Sequence, residues 1–334
     1  MGQTMNLEEF FEEWYSEDAE LLVRTSGSTG KPRPIWIEKK RMLSSARTTC
    51  NFLGLHPGNT ALLCMPLDYI AGKMMVVRSI ERGLKLIDVR PSGHPLADDS
   101  LPREIDFAAM VPIQVLNSLE NREERNRLRN IRHLIIGGGV IDNQLAEDLK
   151  DFPNAIWSTY GMTETLSHIA FQRLNGPQAS QWYEPLDGVD ISFARDGCLT
   201  IYAPEVNPNI LKTNDLVEIK INPSGKTLFK IKGRKDNVIN SGGLKIQIEE
   251  IECLLRPYIS LPFMITKCYD QKLGEAVVLL TEHDKPEELA ETAHYILPKY
   301  QCPRHYLHID HLPTTVTGKP ARHQAEEIAS RLKK

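Results

Sequence analysis

Thr25-Ser26-Gly27-Ser28-Thr29-Gly30-Lys31-Pro32-Arg33 is the stretch of this chain that says most about its chemistry. Six successive hydroxyl or glycine residues end in a lysine. Hydroxyls donate hydrogen bonds, glycines let backbone N–H groups come close to a ligand, and lysine adds a positive charge. A polyphosphate needs all three. The apolar Leu21-Leu22-Val23 before the run reads as the end of a strand, where a phosphate-gripping loop belongs. A loop of the G-x-x-x-x-G-K-[ST] kind does not match: Thr25 stands in place of its first glycine, and Pro32 in place of its magnesium-binding hydroxyl. Pro32 also opposes a helix running straight out through the lysine. A flexible Ser/Gly linker is the plain alternative on composition alone. Segments farther along the chain weigh against it.

Working outward, the 334 residues are 41% hydrophobic and 25% charged, the composition of a soluble globular protein with a large core and two domains. A formal net charge of −4 gives no general pull toward nucleic acid or an anionic membrane. No apolar run approaches transmembrane length. The acidic start, through Glu8, Glu9, Glu12 and Glu13, lacks the basic and apolar blocks of a secretion signal. The six cysteines (Cys50, Cys64, Cys198, Cys253, Cys268, Cys302) show no metal-ligand spacing, so reduced and mostly buried thiols in a cytoplasmic protein are expected. The ten histidines form no metal-binding motif.

Leu7, Phe10, Phe11 and Trp14 at helical spacing predict a docking helix over residues 7–15. Lys39 to Phe52 reads as a helix, and Thr60–Met65, Leu84–Val89, Ile131–Ile136 and Ala155–Thr159 as short strands. Asp142 is expected to cap a helix carrying Leu145 and Leu149 that stops at Pro153. Strand and helix alternate, which argues for an α/β sheet covered on both faces. The character changes near residue 195. Leu199–Tyr202, Leu216–Ile221 and Thr227–Ile231 read as strands, the last two joined as a hairpin at Asn222-Pro223-Ser224-Gly225. From about residue 236 a smaller α+β unit is expected, with helices at Ile248–Leu255 and after Pro286 and a strand at Glu275–Leu280. The charge run Asn121–Arg132 reads as a solvated helix face, because Glu123 and Glu124 interrupt it.

Four further segments belong with the opening run. They are Tyr160-Gly161-Met162-Thr163-Glu164-Thr165, Lys212-Thr213-Asn214-Asp215-Leu216, the stretch from Gly233-Arg234-Lys235-Asp236-Asn237 to Ser241-Gly242-Gly243-Leu244-Lys245, and Thr315-Val316-Thr317-Gly318-Lys319-Pro320. In this order and spacing the chain, from about Val23 to Arg322, resembles the adenylate-forming superfamily of acyl-CoA synthetases, luciferases and peptide-synthetase adenylation domains. The resemblance implies a large α/β domain over residues 1–235, with sheets flanked by helices, and a small mobile C-terminal α+β lid over 236–334. It implies that Thr25, Ser26, Gly27, Ser28, Thr29, Gly30 and Lys31 hold the β- and γ-phosphates of ATP. Tyr160, followed by Gly161, would stack on adenine, and Gly137, Gly138 and Gly139 would border the base. Thr163 would contact the α-phosphate and Glu164 would help hold Mg2+. Asp215 would accept hydrogen bonds from the ribose hydroxyls, with Arg234 as a second ribose contact. Asp236 would be the hinge, and Lys319 the lysine that reaches in during adenylation. Gly242 and Gly243 would either make a turn or leave room for the pantetheine arm of coenzyme A.

Two departures stand out. Only residues 1–24 precede the loop, whereas superfamily members carry a longer leading segment; a pared-down large domain is expected, and a homo-oligomer is one way of completing it. Tyr69 stands where a histidine that shapes the acid pocket is usual. The run Pro66–Arg78 and the segment Met110-Val111-Pro112-Ile113-Gln114 are similar to the o-succinylbenzoate–CoA ligases of menaquinone synthesis. By that resemblance Arg78 would pair with the second carboxylate of the acid, a match suited to bidentate hydrogen bonding. A surface arginine on a helix is the alternative. The expected activity is an AMP-forming ligation of a carboxylic acid, with o-succinylbenzoate of menaquinone synthesis as the expected acid, to coenzyme A through an acyl-adenylate. Other readings that stay open are another aryl or alkyl acid–CoA ligase, an enzyme loading a carrier protein, and a nucleotide-binding protein without turnover.

Overall fold

The computed structural model describes residues 5–24, 34–139, 141, 143–315 and 320–333. The hydroxyl–glycine run Thr25–Arg33, the capping residue Asp142 and the lysine Lys319 lie outside the described residues.

Helix α1 (Leu7–Tyr15) begins with a reciprocal cap: Glu9 N–H donates to Asn6 Oδ1 and Asn6 N–H to Glu9 Oε2, both at 2.9 Å. Its Phe10 and Trp14 are buried, as a docking helix requires. Strands β1 (Glu20–Arg24) and β2 (Pro34–Glu38) pair antiparallel, with Arg24 opposite Pro34. Next come α2 (Lys39–Leu53), β3 (Thr60–Leu63), α3 (Ile70–Arg82), β4 (Lys85–Asp88), β5 (Ile105–Met110), α4 (Pro112–Glu120), α5 (Arg122–Arg129) and β6 (Ile131–Ile136). Then follow α6 (Asn143–Leu149), β7 (Ala155–Gly161), β8 (His168–Arg173) and the short β9 (Glu184–Pro185). The sheet order is β4-β3-β5-β6-β7-β8-β9. Its first five strands run parallel and the last two antiparallel.

The alternating pattern anticipates β3, β4, β6 and β7 and misses β5 and β8. Strand β5 hides behind Asp106, whose carboxylate accepts from Thr60 N–H at 2.8 Å and Thr60 Oγ1–H at 3.1 Å. A polar residue satisfied sideways by the neighbouring strand costs little, yet it breaks the apolar run that marks a buried strand. The charge run forms α5, with one correction to its reading as a solvated face. Glu124 is buried, accepting from Ser118 Oγ at 3.1 Å and lying 2.9 Å from His94 Nδ1.

Strands β10 (Asp190–Phe193), β11 (Cys198–Ala203), β12 (Asn207–Ile221) and β13 (Thr227–Arg234) make an antiparallel sheet in chain order. The β12–β13 hairpin turns where expected, with Gly225 at φ 81° and Asn222 Oδ1 accepting from the N–H groups of Ser224 and Lys226. Strand β12 starts earlier than Leu216 and takes up the extra length through irregular pairing.

The remaining chain folds as β14 (Val238–Ser241), β15 (Leu244–Gln247), α7 (Ile248–Leu255), β16 (Phe263–Asp270), β17 (Gly274–Thr281), α8 (Leu289–Ile296), β18 (His305–His308) and α9 (Arg322–Leu332). The sheet order is β15-β14-β17-β16, with β18 parallel to β17. Strand β17 feeds two cores by alternation: Val277 and Leu279 face α7, while Ala276, Val278 and Leu280 pack with Ala325 and Ala329 of α9. Gly242 (φ 57°) and Gly243 (φ 85°) are the two central residues of the β14–β15 hairpin, which calls for positive φ at both. A turn role therefore accounts for both glycines. No helix among the described residues is long and apolar enough to cross a membrane.

Candidate active site

In an open parallel sheet, ligands sit beyond the carboxyl ends of the strands. Here those ends are loops with little side-chain bulk. Gly137 follows β6, and a Cβ there would sit 2.4 Å from Thr159 Oγ1 of β7. Gly138 (φ 79°) and Gly139 lie against Val111 and Pro112, which follow β5. Gln114 ties the adjoining loops together: its Nε2 donates to Cys64 O beyond β3 (3.2 Å) and to Ser92 O beyond β4 (2.9 Å), while its Oε1 accepts from Val111 N–H (3.1 Å).

At the end of β7 the Tyr160 hydroxyl donates to Asp215 Oδ2 at 2.5 Å. Burial, and then the Asp215 carboxylate beside it, push this hydroxyl well above the usual phenol range, so it stays protonated and keeps donating. Phe229 and Tyr183 meet the Tyr160 ring edge-on, with centroids at 5.3 and 6.0 Å. Arg234 Nη1 lies 3.3 Å from Asp215 Oδ1, and its Nη2 donates to Asp236 Oδ2 at 3.1 Å. Asn214 Nδ2 donates to the same Asp236 oxygen at 3.0 Å. Tyr160, Asp215, Arg234 and Asp236 thus form one hydrogen-bonded group. The carboxylate of Asp215 offers about four acceptor sites, and the two contacts described leave capacity for two more donors such as a vicinal diol.

Thr163–Thr165 forms a short 3-10 turn after β7. Buried Thr165 closes it, accepting from Met162 N–H (2.9 Å) and lying 2.7 Å from Ser167 O. Glu164 is exposed, and Asn207 Nδ2 from β12 holds its backbone carbonyl at 2.9 Å. Leu166 then takes φ 64° and ψ −35°, and Ser167 N–H bonds back to Thr165 O at 2.7 Å. This is a strained γ-turn on a non-glycine residue, of the kind found where a site demands a particular direction. Opposite it, Gly161 has no room for a side chain: a Cβ would lie 2.1 Å from Ser167 O and 2.5 Å from His168 Cα.

Arg78 on α3 reaches this turn, donating from Nη2 to Ser167 Oγ at 2.6 Å. It is only 2% exposed, which removes the surface-arginine alternative. Among the described residues its Nε–H has no partner, its Nη1 has only Met75 Sδ at 3.7 Å, and no carboxylate pairs with it. Behind it, Ser167 Oγ is 3.3 Å from His168 Nδ1, and His168 Nε2 is 2.9 Å from Thr49 Oγ1 of α2.

The AMP-binding enzyme family model matches residues 10–191, more than half of the chain. The chain belongs to the AMP-binding enzyme family. An acyl-CoA synthetase (AMP-forming)/AMP-acid ligase II-like protein from Dyadobacter fermentans DSM 18053 is similar at 35% identity and TM-score 0.64, over 95% of this chain and 92% of that one. The O-succinylbenzoate coenzyme A synthetase of Bacillus subtilis, in complex with ATP and magnesium ion, shares the fold at TM-score 0.75 and 24% identity. That match covers 94% of this chain and 69% of that one. The 2-succinylbenzoate–CoA ligase of Bacillus cereus (strain AH820) is 23% identical over 350 residues, covering 96% of this chain and 72% of its own length.

Within this AMP-binding enzyme, the residues singled out in the sequence fall in several places. Tyr160, Asp215, Arg234 and Asp236 meet. Gly137–Gly139 after β6, Gly161 at the end of β7, and Thr163 and Glu164 in the 3-10 turn that follows lie at the same end of the parallel sheet. Thr25–Lys31 and Lys319 are outside the described residues, and Gly242 and Gly243 belong to a hairpin of the last sheet. Tyr69 stands at the N-cap position of α3, without a side-chain cap bond, nine positions before Arg78. Sequence reading missed Thr49, Ser167 and His168, whose only available signal is that Ser167 and His168 follow the Tyr160–Thr165 motif.

Proposed function

We propose that this AMP-forming acid–CoA ligase activates an acid bearing a second carboxylate, o-succinylbenzoate in menaquinone biosynthesis, and delivers it to coenzyme A. One observation carries the substrate assignment: a buried arginine with open donors and, among the described residues, no carboxylate beside it. Keeping such a charge inside costs several kcal/mol unless an anion joins it. A substrate carboxylate supplies that anion, and supplies it only to the right acid.

The reaction brings two anions together, the acid and ATP. Thr25–Lys31 grips the β- and γ-phosphates, Thr163 the α-phosphate, and Asp215 with Arg234 the ribose, against the ring of Tyr160. Glu164, exposed and without an ion pair among the described residues, suits magnesium, which takes one or two carboxylates and completes its shell with water and substrate phosphates. When bound, that ion neutralises charge on the departing pyrophosphate. Lys319 lowers the repulsion between carboxylate and α-phosphate without forming a bond. The carboxylate oxygen attacks the α-phosphorus and pyrophosphate leaves; the incoming thiol then attacks the acyl carbonyl of the mixed anhydride, forming the thioester and releasing AMP. The division at residue 235 makes 236–334 the lid, turning at Asp236 between the two steps.

Exchange of labelled pyrophosphate into ATP tests the first half-reaction across paired acids such as o-succinylbenzoate and benzoate. Exchange with o-succinylbenzoate well above benzoate, followed by consumption of free CoA and release of AMP, is expected. Equal exchange with both acids overturns the substrate assignment. No exchange with any acid overturns the ligase reading, and transfer to a carrier-protein thiol but not to CoA overturns the acceptor.

A further inference from the structure

Arg78 is the head of a polar line, buried except at the half-buried Ser167, that runs through three elements. It passes from α3 to Ser167 (2.6 Å), to His168 at the start of β8 (3.3 Å), to Thr49 on α2 (2.9 Å), and ends on the backbone carbonyl of Ser45 (3.0 Å). We propose that Ser167 and His168 are positioning residues for Arg78. With Thr49 they form a one-way chain of donors that holds the guanidinium by a single N–H and leaves its Nε–H to an anionic group of the acid substrate. The inference rests on the second-carboxylate reading for the substrate, but not for the chain itself.

The direction follows from proton counting. Thr49 has one hydroxyl proton and places it on Ser45 O, the i−4 back-bond common to threonine in helices. Its lone pair then faces His168 Nε2, which must carry the ring proton. Nδ1 is left as an acceptor and takes the Ser167 hydroxyl proton, and the Ser167 lone pair takes Arg78 Nη2–H. Each member donates once and accepts once. An imidazolium would set two cationic donors, His168 and Arg78, against one serine oxygen. Burial, and then the charge of Arg78, hold His168 well below its ordinary value, so it stays neutral. Two backbone features aim the serine: the γ-turn at Leu166, and Gly161, whose missing side chain admits the Ser167 carbonyl.

The full-length enzyme with 15N-labelled histidine tests the chain directly by long-range 1H–15N correlation, with His168 assigned by its absence in His168→Phe. A neutral ring protonated at Nε2 is expected. A proton on Nδ1, or on both nitrogens, overturns the chain. The second arm compares the KM of o-succinylbenzoate with that of benzoate in pyrophosphate exchange. Ser167→Ala should raise the ratio of the two about tenfold, the loss expected for one hydrogen bond to a charged group, and Ser167→Thr should restore most of it. A ratio that does not move overturns the positioning role. Arg78→Ala serves as the reference: if it also leaves the ratio unmoved, the second-carboxylate reading falls, while the tautomer still decides the chain.

Discussion

Arg78→Met should make the ligand-free protein more stable while removing the preference for a dianionic acid proposed above. Burial pushes the guanidinium from its ordinary 12.5 down to about 10. At ~1.4 kcal/mol per pH unit, holding the charge inside costs about 3 kcal/mol. Arginine is charged in both folded and unfolded chains below about pH 10, so the whole cost is present at neutral pH and fades only as the pH rises through that range. One charge-assisted hydrogen bond, to Ser167 Oγ, returns about 1.5–3 kcal/mol. Methionine fills much of the same volume, and Met74, Met75, Val76 and Val77 already line this helix. The net expectation is a gain of about 1 kcal/mol, or a rise in melting temperature of about 2–4 °C for a unit of this size. Circular dichroism melts and urea titrations of both proteins, with and without o-succinylbenzoate, measure it. The acid should raise the melting temperature of the native protein and not that of the variant. A ligand-free variant less stable by 1 kcal/mol or more would refute the reasoning, because the guanidinium would then be a structural member with its partners in place.

Three further outcomes follow from the same geometry. Gly161→Ala puts a Cβ against the backbone of Ser167 and His168, so it should destabilise by about 1–3 kcal/mol and lower pyrophosphate exchange; unchanged melting and exchange would mean that the backbone opposite Gly161 yields easily to a Cβ that would otherwise sit 2.1 Å from Ser167 O. Asp215→Asn replaces an acceptor oxygen used by Tyr160 or Arg234 with a donor, and should raise the KM for ATP about tenfold or more while the far-ultraviolet spectrum stays the same; an unchanged KM would remove Asp215 from the ribose site. Burial pushes His133 down to about 4 and His168 well below 6.5, so as the pH falls from about 6.5 toward 4 the unfolded chain binds protons the folded one refuses. Stability is full above that range and should drop by up to ~1.4 kcal/mol per pH unit per histidine, less for His133, which is part exposed. Urea unfolding at pH 7 and pH 5 should show a smaller drop for His168→Phe than for the native chain, and an equal drop would be evidence against a neutral His168.

Much of the fold was legible because its signals are local. The capped helix at Leu7–Tyr15, the strand Ile131–Ile136 and the Asn222–Gly225 turn each declare themselves within a few residues. Strands β5 and β8 were not legible. Asp106 interrupts one, and His168 with Gln172 breaks the apolar run of the other; both strands are stabilised by neighbours that no local window contains. The candidate nucleotide residues Tyr160, Asp215 and Arg234 were named by the resemblance of their motifs, in order and spacing, to the adenylate-forming superfamily, and the structure brings the three together.

The sequence alone determined the strand–helix alternation and the glycine turns, because each is written in a short pattern of burial or backbone freedom, while its likeness to the adenylate-forming superfamily supplied the candidate residues for ATP chemistry. Tertiary structure alone decided that Arg78 is an enclosed cation and not a surface one, and that Ser167, His168 and Thr49 stand in line behind it. The members of that line are brought together from 89 and 119 residues apart. A charged residue on an amphipathic helix looks the same in sequence whether water or another layer of protein covers it, and only the packing across the helix sets what its charge must find.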